Sequence, residues 1–240
     1  RLPQELMRNA IHVGVPRGRQ DLLDLVNWGF WQISWAEYGA IESRWITDPN
    51  DRFCRPRGTQ VPFNASEKEW LARNKTVRLG SINSWPPMSF VNEAGKPEGM
   101  SQEFAELLND RLGGILHFTQ APWDELLADL RAGRIDALMD IRPLRSREDF
   151  ANFTQPYLIA PHVFVVPEKA PLPKGFGDLN GKKLAVERGF STVFFVRKNF
   201  PDVQVIEYAD TLAALKAVAS GEAAAFAGNS AVVRYLTGLP

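Results

Sequence analysis

The stretch from Trp123 to Tyr157, WDELLADLRAGRIDALMDIRPLRSREDFANFTQPY, determines how the rest of the chain is interpreted. It begins with apolar residues at i, i+3, i+4 and i+7 spacing, which predicts an amphipathic helix. Gly133 should end this helix, since glycine is favoured just after a helix C-terminus. A short strand is then predicted from Ile135 to Met139. A helix that leads directly into a buried strand is typical of an α/β fold.

A polar loop follows the predicted strand, and its charged residues are Asp140, Arg142, Arg145 and Arg147. In open parallel sheets, ligands bind beyond the carboxyl ends of the strands. Three arginines so close together would not be tolerated inside a sheet, so the loop should face a cleft, water or a partner. It is therefore a candidate binding site, with an ordinary solvated loop as the alternative.

Composition limits the functions that need to be considered. The 240 residues are 45% hydrophobic and 23% charged, and the formal net charge is zero. A neutral chain is not expected to bind nucleic acid or an anionic membrane through general electrostatics. The sequence has no apolar run near the ~18–20 residues that span a bilayer. Its first residues, RLPQELMRNA, lack a signal-peptide pattern, and the chain does not start with methionine, so we expect a piece of a larger protein.

Neither a cofactor nor a metal ion is expected. Cys54 is the single cysteine, so it cannot form an internal disulfide, and it fits no metal-ligand spacing. The sequence contains no phosphate loop, zinc spacing or dinucleotide fingerprint. The three histidines are far apart in strand-like apolar contexts, which favours structural roles over catalysis.

The chain has an irregular segment near its start and regular alternation after it. A strand over residues 10–15 and two helices, ending near Trp45, precede the polar segment 47–63, which reads as a linker. Ser66 with Glu69 has the spacing of a capping box. From Val77 onward strands alternate with helices of ~10 residues, which indicates βαβ units and mainly parallel sheets. A helix–glycine–strand pattern over 123–136 recurs over 211–225 and suggests two lobes of similar build.

Several motifs in a fixed order together resemble one family. They are WPPMSF, GMSQEF, the helix–glycine–strand of residues 123–136, RSRE, FTQPY and GKKLAV with a following glycine. Over about residues 69–240 this set is similar to the type II periplasmic solute-binding proteins, in particular the amino-acid-binding branch. The resemblance implies a Venus flytrap: two α/β lobes, each a mainly parallel sheet flanked by helices, with a small polar ligand in the cleft between them.

The resemblance also implies a domain organisation. Residues 69–157 would be lobe 1, residues 158–240 lobe 2, and residues 49–68 a linker. Residues 1–48 resemble the C-terminal strand and helices of a flytrap lobe 1. This segment either completes the present domain or belongs to a preceding one. The order of these segments, with the end of one lobe 1 followed by the start of a new domain, is similar to that of the tandem flytrap sensors in BvgS-type hybrid sensor histidine kinases.

The resemblance implies ligand-binding positions in both lobes when the family's binding residues are matched one by one to this sequence. Arg147 would hold the ligand's carboxylate, unless it instead forms an ion pair with a neighbouring acidic residue. Ser191 and Thr192, at the start of a helix, would contact the ligand from lobe 2. Trp85 and Trp123 would stack on it, with a core role as the alternative for Trp123.

One position departs from the family pattern. Asn229 stands where the family usually has a carboxylate that pairs with the ligand's ammonium group. Asp140 could supply the missing charge, or it could pair internally with Arg142 or Arg147. An excess of arginine without a clear ammonium partner favours a small carboxylate or another anion over a zwitterionic amino acid.

Three functions are therefore considered. The leading one is a periplasmic ligand-sensing domain of an inner-membrane sensor histidine kinase, without enzyme activity of its own, that signals through lobe opening and closing. Its partners would be a carboxylate or amino-acid-like solute, an adjacent flytrap domain and a second copy through the parent kinase. The alternatives are a transporter-associated solute-binding protein and a dehydratase-type enzyme, for which Asp140 or Glu98 would be the general acid.

Overall fold

A computed structural model describes residues 7–46, 52 and 63–238 of the chain. The chain forms two compact units, a large unit of residues 10–159 and a small unit of residues 7–9 and 160–238. Two strands, β1 (Met7–Pro16) and β9 (Leu158–Val165), carry the chain from one unit to the other. Most of the predicted linker over 49–68, together with Cys54, lies outside the described residues, and residues 65–68 belong to a helix.

Strands and helices alternate along most of the described chain, as the sequence predicts. The strands between β1 and β9 are β2 (Val77–Ile82), β3 (Ser84–Trp85), β4 (Ser89–Val91), β5 (Pro97–Glu98), β6 (Leu116–Ala121), β7 (Ala137–Ile141) and β8 (Ala151–Phe153). The strands after β9 are β10 (Lys183–Glu187), β11 (Gln204–Tyr208) and β12 (Ala225–Asn229). The helices are α1 (Gln20–Gln32), α2 (Trp35–Trp45), α3 (Ala65–Arg73), α4 (Met100–Arg111), α5 (Trp123–Arg131), α6 (Arg145–Glu148), α7 (Ser191–Asn199), α8 (Thr211–Ala219) and α9 (Ser230–Thr237). No helix within the described ranges is long and apolar enough to cross a membrane.

The main sheet of the large unit has the strand order β8-β1-β7-β2-β6. Strand β2 runs parallel to both β6 and β7, with Val77 opposite Leu116 and Leu79 opposite Ala137. Strand β1 is antiparallel to β7 and β8. The sheet is therefore parallel except at the strand that enters from the chain's N-terminal segment.

Helices α1 and α2 of that N-terminal segment pack on α4. Glu37 of α2 forms an ion pair with Arg111 of α4 at 2.5 Å, and the Tyr38 and Phe104 rings lie 4.5 Å apart. Trp45 Nε1 donates a hydrogen bond of 2.8 Å to Glu103 Oε1. Residues 10–46 thus supply one strand and two helices to the core of the large unit.

The sheet of the small unit has the order β11-β10-β12-β9. Strands β11 and β12 lie on either side of β10 and parallel to it, and β9 is antiparallel to β12. Helix α7 packs on one face of this sheet through Val193 and Val196. Helix α8 contributes Ala214 and Val218 to a separate buried cluster.

Two local predictions differ from the structure. Strand β7 begins and ends two residues later than predicted, so Asp140 lies inside the strand and not in the loop after it. The capping box of α3 is formed by Asn64 and Glu67, not by Ser66 and Glu69. Asparagine caps helices as well as serine does, so the residue type did not distinguish the two positions.

We predict that Gly29→Ala destabilises the protein, because α1 approaches α4 closely at this position. A methyl group on Gly29 would lie 2.0 Å from Leu108 Cδ1, and Leu108 is buried. We expect the free energy of unfolding in urea to fall by about 1–3 kcal/mol.

Gly39→Ala is the matched control, since Gly39 lies in α2 with nothing within 4 Å of the added methyl. It should raise the free energy of unfolding by about 0.5–1 kcal/mol through helix propensity. A Gly29→Ala protein that is as stable as Gly39→Ala would contradict the packing of α1 on α4.

Candidate ligand-binding site

Arg147 is a buried cation in the large unit. It lies in the short helix α6 with 4% of its surface exposed, and its Nη1 donates a hydrogen bond of 2.9 Å to the backbone oxygen of Arg142. Burial, together with the charge of Arg142, lowers the pKa of Arg147 to about 10. The guanidinium group therefore stays protonated at neutral pH.

Arg142 adds a second positive charge beside Arg147. Burial lowers the pKa of Arg142 as well, and the two like charges disfavour each other. An anion bound near both guanidinium groups would be attracted by both, and a guanidinium binds a carboxylate through two parallel hydrogen bonds. This pair can thus recognise a carboxylate.

Trp123 lies against the guanidinium group of Arg147. It is the first residue of α5, it is buried, and the Cζ atom of Arg147 lies 5.0 Å from the centre of its ring. A guanidinium at this distance from an indole makes a cation–π interaction. Trp85, in β3, is also buried in the large unit. That either indole stacks on a ligand remains a prediction.

Asp140 is held by two hydroxyl groups. Its Oδ1 accepts hydrogen bonds from Ser101 Oγ and, at 2.8 Å, from the Tyr157 hydroxyl group. The Tyr157 hydroxyl also accepts from the Asp140 backbone N–H at 3.2 Å. The predicted alternative, an internal pair with Arg142 or Arg147, is thus not the arrangement found at this carboxyl group.

The backbone of Asp140 adopts an unusual conformation. Its φ is +62°, and it is the one non-glycine residue with positive φ in the described part of the chain. Such a conformation is strained for most side chains and often marks a functional position. Asp140 is also buried, and burial raises its pKa to about 6 against the lowering effect of its two hydrogen bonds.

The other predicted residues lie in the small unit. Ser191 and Thr192 form the first turn of α7, and both are buried. Asn229 ends β12 and caps α9, since its Oδ1 accepts from Ala231 N at 2.8 Å and from Val232 N at 3.3 Å. The structure thus places Trp85, Trp123, Asp140, Arg142 and Arg147 in the large unit, and Ser191, Thr192 and Asn229 in the small unit.

Sequence reasoning missed three groups. Ser101 and Tyr157 position Asp140 in the large unit, although both stand in motifs that carry the family resemblance. In the small unit, Glu187 is 2% exposed, and its Oε1 accepts a hydrogen bond of 2.7 Å from Thr211 Oγ1. Burial, with a contribution from Asp210, raises the pKa of Glu187 to about 7. The available signal was a carboxylate that directly follows three apolar residues of a predicted strand.

We predict that Asp140→Asn changes the pH dependence of stability. The folded-state pKa of about 6 is above the model-compound value of 3.8, so between these values only the unfolded state loses the proton. The free energy of unfolding of the wild type should therefore fall as pH rises from about 4 to 6, relative to the variant. The difference in the free energy of unfolding between the wild type and the variant should change by about 2–3 kcal/mol over this pH range.

Urea unfolding at pH 3.5, 5 and 6.5 measures this difference. Asparagine keeps the acceptor oxygen and tolerates positive φ, so the variant should fold. Asp110→Asn, an exposed carboxylate in α4, is the control and should leave the profile unchanged. A constant difference between wild type and Asp140→Asn over this range would refute the assignment.

Comparison with known proteins gives one family match. Residues 77–225, more than half of the chain, match the bacterial extracellular solute-binding proteins, family 3. The virulence sensor protein BvgS of Bordetella bronchiseptica is 25% identical over 226 residues, covering 92% of this chain. The L-cystine-binding protein TcyJ of Escherichia coli K12 is 31% identical over 137 residues, covering 56% of this chain and 52% of that protein.

The chain spans 18% of the length of BvgS. Among solved structures, the periplasmic VFT2 domain of Bordetella pertussis BvgS superposes with a TM-score of 0.65 at 24% identity, covering 74% of this chain and 76% of that one. This likeness confirms the predicted fold class, a type II periplasmic-binding α/β fold. Because the family match covers more than half of its residues, the chain belongs to the bacterial extracellular solute-binding proteins, family 3.

Proposed function

We propose that this chain is a periplasmic ligand-sensing domain of an inner-membrane hybrid sensor histidine kinase, and that it binds a small carboxylate or amino-acid-like solute. The observation that carries the binding proposal is Arg147, a cation buried beside Arg142 and over the Trp123 ring. A guanidinium group holds a carboxylate through two parallel hydrogen bonds, and the neighbouring charge of Arg142 would add to the attraction. L-cystine, which the name of TcyJ gives as its ligand, is an amino acid and so fits this class.

The sensor proposal rests on how far the BvgS similarity extends. It covers 92% of this chain, so it runs into the N-terminal segment ahead of residue 77, whereas the TcyJ similarity covers 56%. The pairing of β1 with β7 and β8 supports the related proposal that residues 1–48 complete lobe 1. An adjacent flytrap domain and a second copy of the parent kinase would then be the macromolecular partners.

Signalling would follow from a shift in the population of conformations. A ligand that binds one conformation more tightly moves the equilibrium toward it, and the attached membrane segment would transmit that shift. We expect the full-length natural protein, in membrane vesicles, to change its rate of autophosphorylation when the ligand is added. A parent protein without a kinase domain would contradict the sensor proposal and favour a transporter role.

We predict that Arg147→Ala weakens carboxylate binding by about 10- to 100-fold, since a charge-assisted hydrogen bond contributes roughly 1.5–3 kcal/mol. A thermal-shift screen of carboxylates and amino acids identifies the ligand, and calorimetry then gives the affinity. The variant should keep cooperative thermal unfolding.

Arg145→Ala is the matched control, because Arg145 lies in the same helix but is exposed. It should bind as the wild type does. Normal binding by Arg147→Ala would show that the ligand lies elsewhere, and loss of folding would make Arg147 a structural residue. Turnover of the ligand by the wild type would instead support the enzyme alternative.

A further inference from the structure

Strands β1 and β9 pass between the small unit and the large unit side by side. The two strands are neighbours in the sheet. On β1 the small unit ends at Asn9 and the large unit begins at Ala10, and on β9 the boundary lies between Ile159 and Ala160. A motion that one unit passes to the other involves these strands, so side-chain contacts at the boundary can influence it.

Asn9 and His162 contact each other at this boundary. Asn9 Nδ2 lies 3.1 Å from both ring nitrogens of His162, and His162 Nδ1 lies 3.1 Å from the backbone oxygen of Ala160. The two residues are 2% and 6% exposed. Buried side chains thus join β1 to β9 within the small unit.

This contact fits a neutral imidazole. A carbonyl oxygen can only accept, so His162 Nδ1 carries the proton that is donated to Ala160, and Nε2 keeps its lone pair. The amide nitrogen of Asn9 carries only donors, and a lone pair attracts them. A proton on Nε2 would set N–H groups against N–H groups, and the attraction would be lost.

A charged ring is unfavourable at this position even if the Asn9 amide turns. Asn9 Oδ1 has no hydrogen-bond partner among the described residues, and after a half-turn of the amide it could accept from a protonated Nε2. A single neutral acceptor does not replace the hydration that a cation loses on burial, and a buried charge is costly without an opposite charge beside it. The charges of the neighbouring elements therefore decide whether an imidazolium is tolerated.

The elements next to His162 supply no negative charge. Strands β1 and β12 flank β9, Asn229 lies opposite His162 in register, and α7 packs on the face that His162 shares with Phe164. Strands β1, β9 and β12 and helices α7 and α9 contain no acidic residue. Their other residues that carry positive charge, or gain it on acidification, are Arg8 and His12 of β1, Arg197 and Lys198 of α7, and Arg234 of α9.

We propose that Asn9 and His162 form a tie between β1 and β9 that a proton releases. At neutral pH the uncharged ring holds Asn9, and the two strands stay joined at the boundary. At acidic pH the imidazole takes up a proton by leaving this contact, and the boundary loosens. The inference rests on the proposed sensing function and adds a response to pH, since the two strands connect the unit that carries Arg147 to the small unit.

Hydrogen–deuterium exchange of the whole chain at pH 7.5 and 5.0 tests the proposal, with rates corrected for the intrinsic pH dependence of amide exchange. An imidazole outside the contact takes up protons as free histidine does, with a pKa of about 6.5. Opening at residues 7–9 and 160–163 should therefore become about 30-fold more frequent at the lower pH. The amides of β2, in the large unit, are the internal reference and should show no such increase.

Two variants separate His162 from the other histidine of these strands. His162→Gln keeps a donor for Ala160 and an acceptor for Asn9 but does not titrate, so the increase should disappear. His12→Gln is the matched control, because His12 also lies in β1 and burial lowers its pKa. In this variant the increase should remain.

Asn9→Asp tests the charge argument directly. The new carboxylate would pair with the imidazolium and stabilise the charged ring in place. The increase in exchange at pH 5.0 should therefore be lost. The NMR signals of the His162 ring should also titrate at higher pH than they do in the wild type.

Four outcomes would overturn the proposal: a wild type without the increase, a His162→Gln protein that keeps it, a His12→Gln protein that loses it, or an Asn9→Asp protein that behaves as the wild type does. Carboxylate binding that depends on Arg147, without the increase, would leave the proposed function intact and remove this inference. The increase without carboxylate binding of any kind would remove the proposed function.

Discussion

Both edges of β1 are hydrogen-bonded within the large unit, to β7 on one side and to β8 on the other. Val13 and Val15 of this strand are fully buried. Without β1, strand β7 would present an open, apolar edge, which proteins avoid because it promotes aggregation. The sheet that carries Asp140 in β7, the strand that precedes α6 and Arg147, therefore depends on a strand contributed from more than 100 residues earlier in the chain.

The same strand connects the structural core to the candidate site. Tyr157 donates its backbone N–H to the Ile11 carbonyl of β1 at 3.1 Å, and its ring stacks on Phe30 of α1 at 5.0 Å. Its hydroxyl group then fixes Asp140 in a strained conformation. Such strain persists only where the surroundings hold the backbone firmly, and here the N-terminal segment provides that support.

Ionisable groups are buried in both units, and burial affects the arginine and the two carboxyl groups differently. Arg147 retains its charge over an indole, whereas Asp140 and Glu187 have pKa values raised toward neutrality. Burial without a counter-charge favours the neutral acid, so both carboxyl groups are sensitive to whatever charge approaches them. A binding site can use this property, since a cationic ligand would restore the ionised form.

The sequence by itself determined the elements whose signals are local. Apolar spacing predicted α5, and the alternation after Val77 predicted the α/β class, because both patterns reflect burial of one face of a single element. Motif order indicated the family. The cluster of arginines after β7 is also visible in the sequence, although Arg145 and Arg147 lie in helix α6 and not in a loop.

Only the tertiary structure decided which groups meet. Asp140 binds Ser101 and Tyr157, which are 39 and 17 residues away in the sequence, and not the arginines beside it. Glu187 escaped notice because a carboxylate at a strand end is usually solvated, and its burial results from α8 packing over it. Hydrogen-bond partners and burial depend on how distant segments pack, and no local pattern in the sequence encodes them.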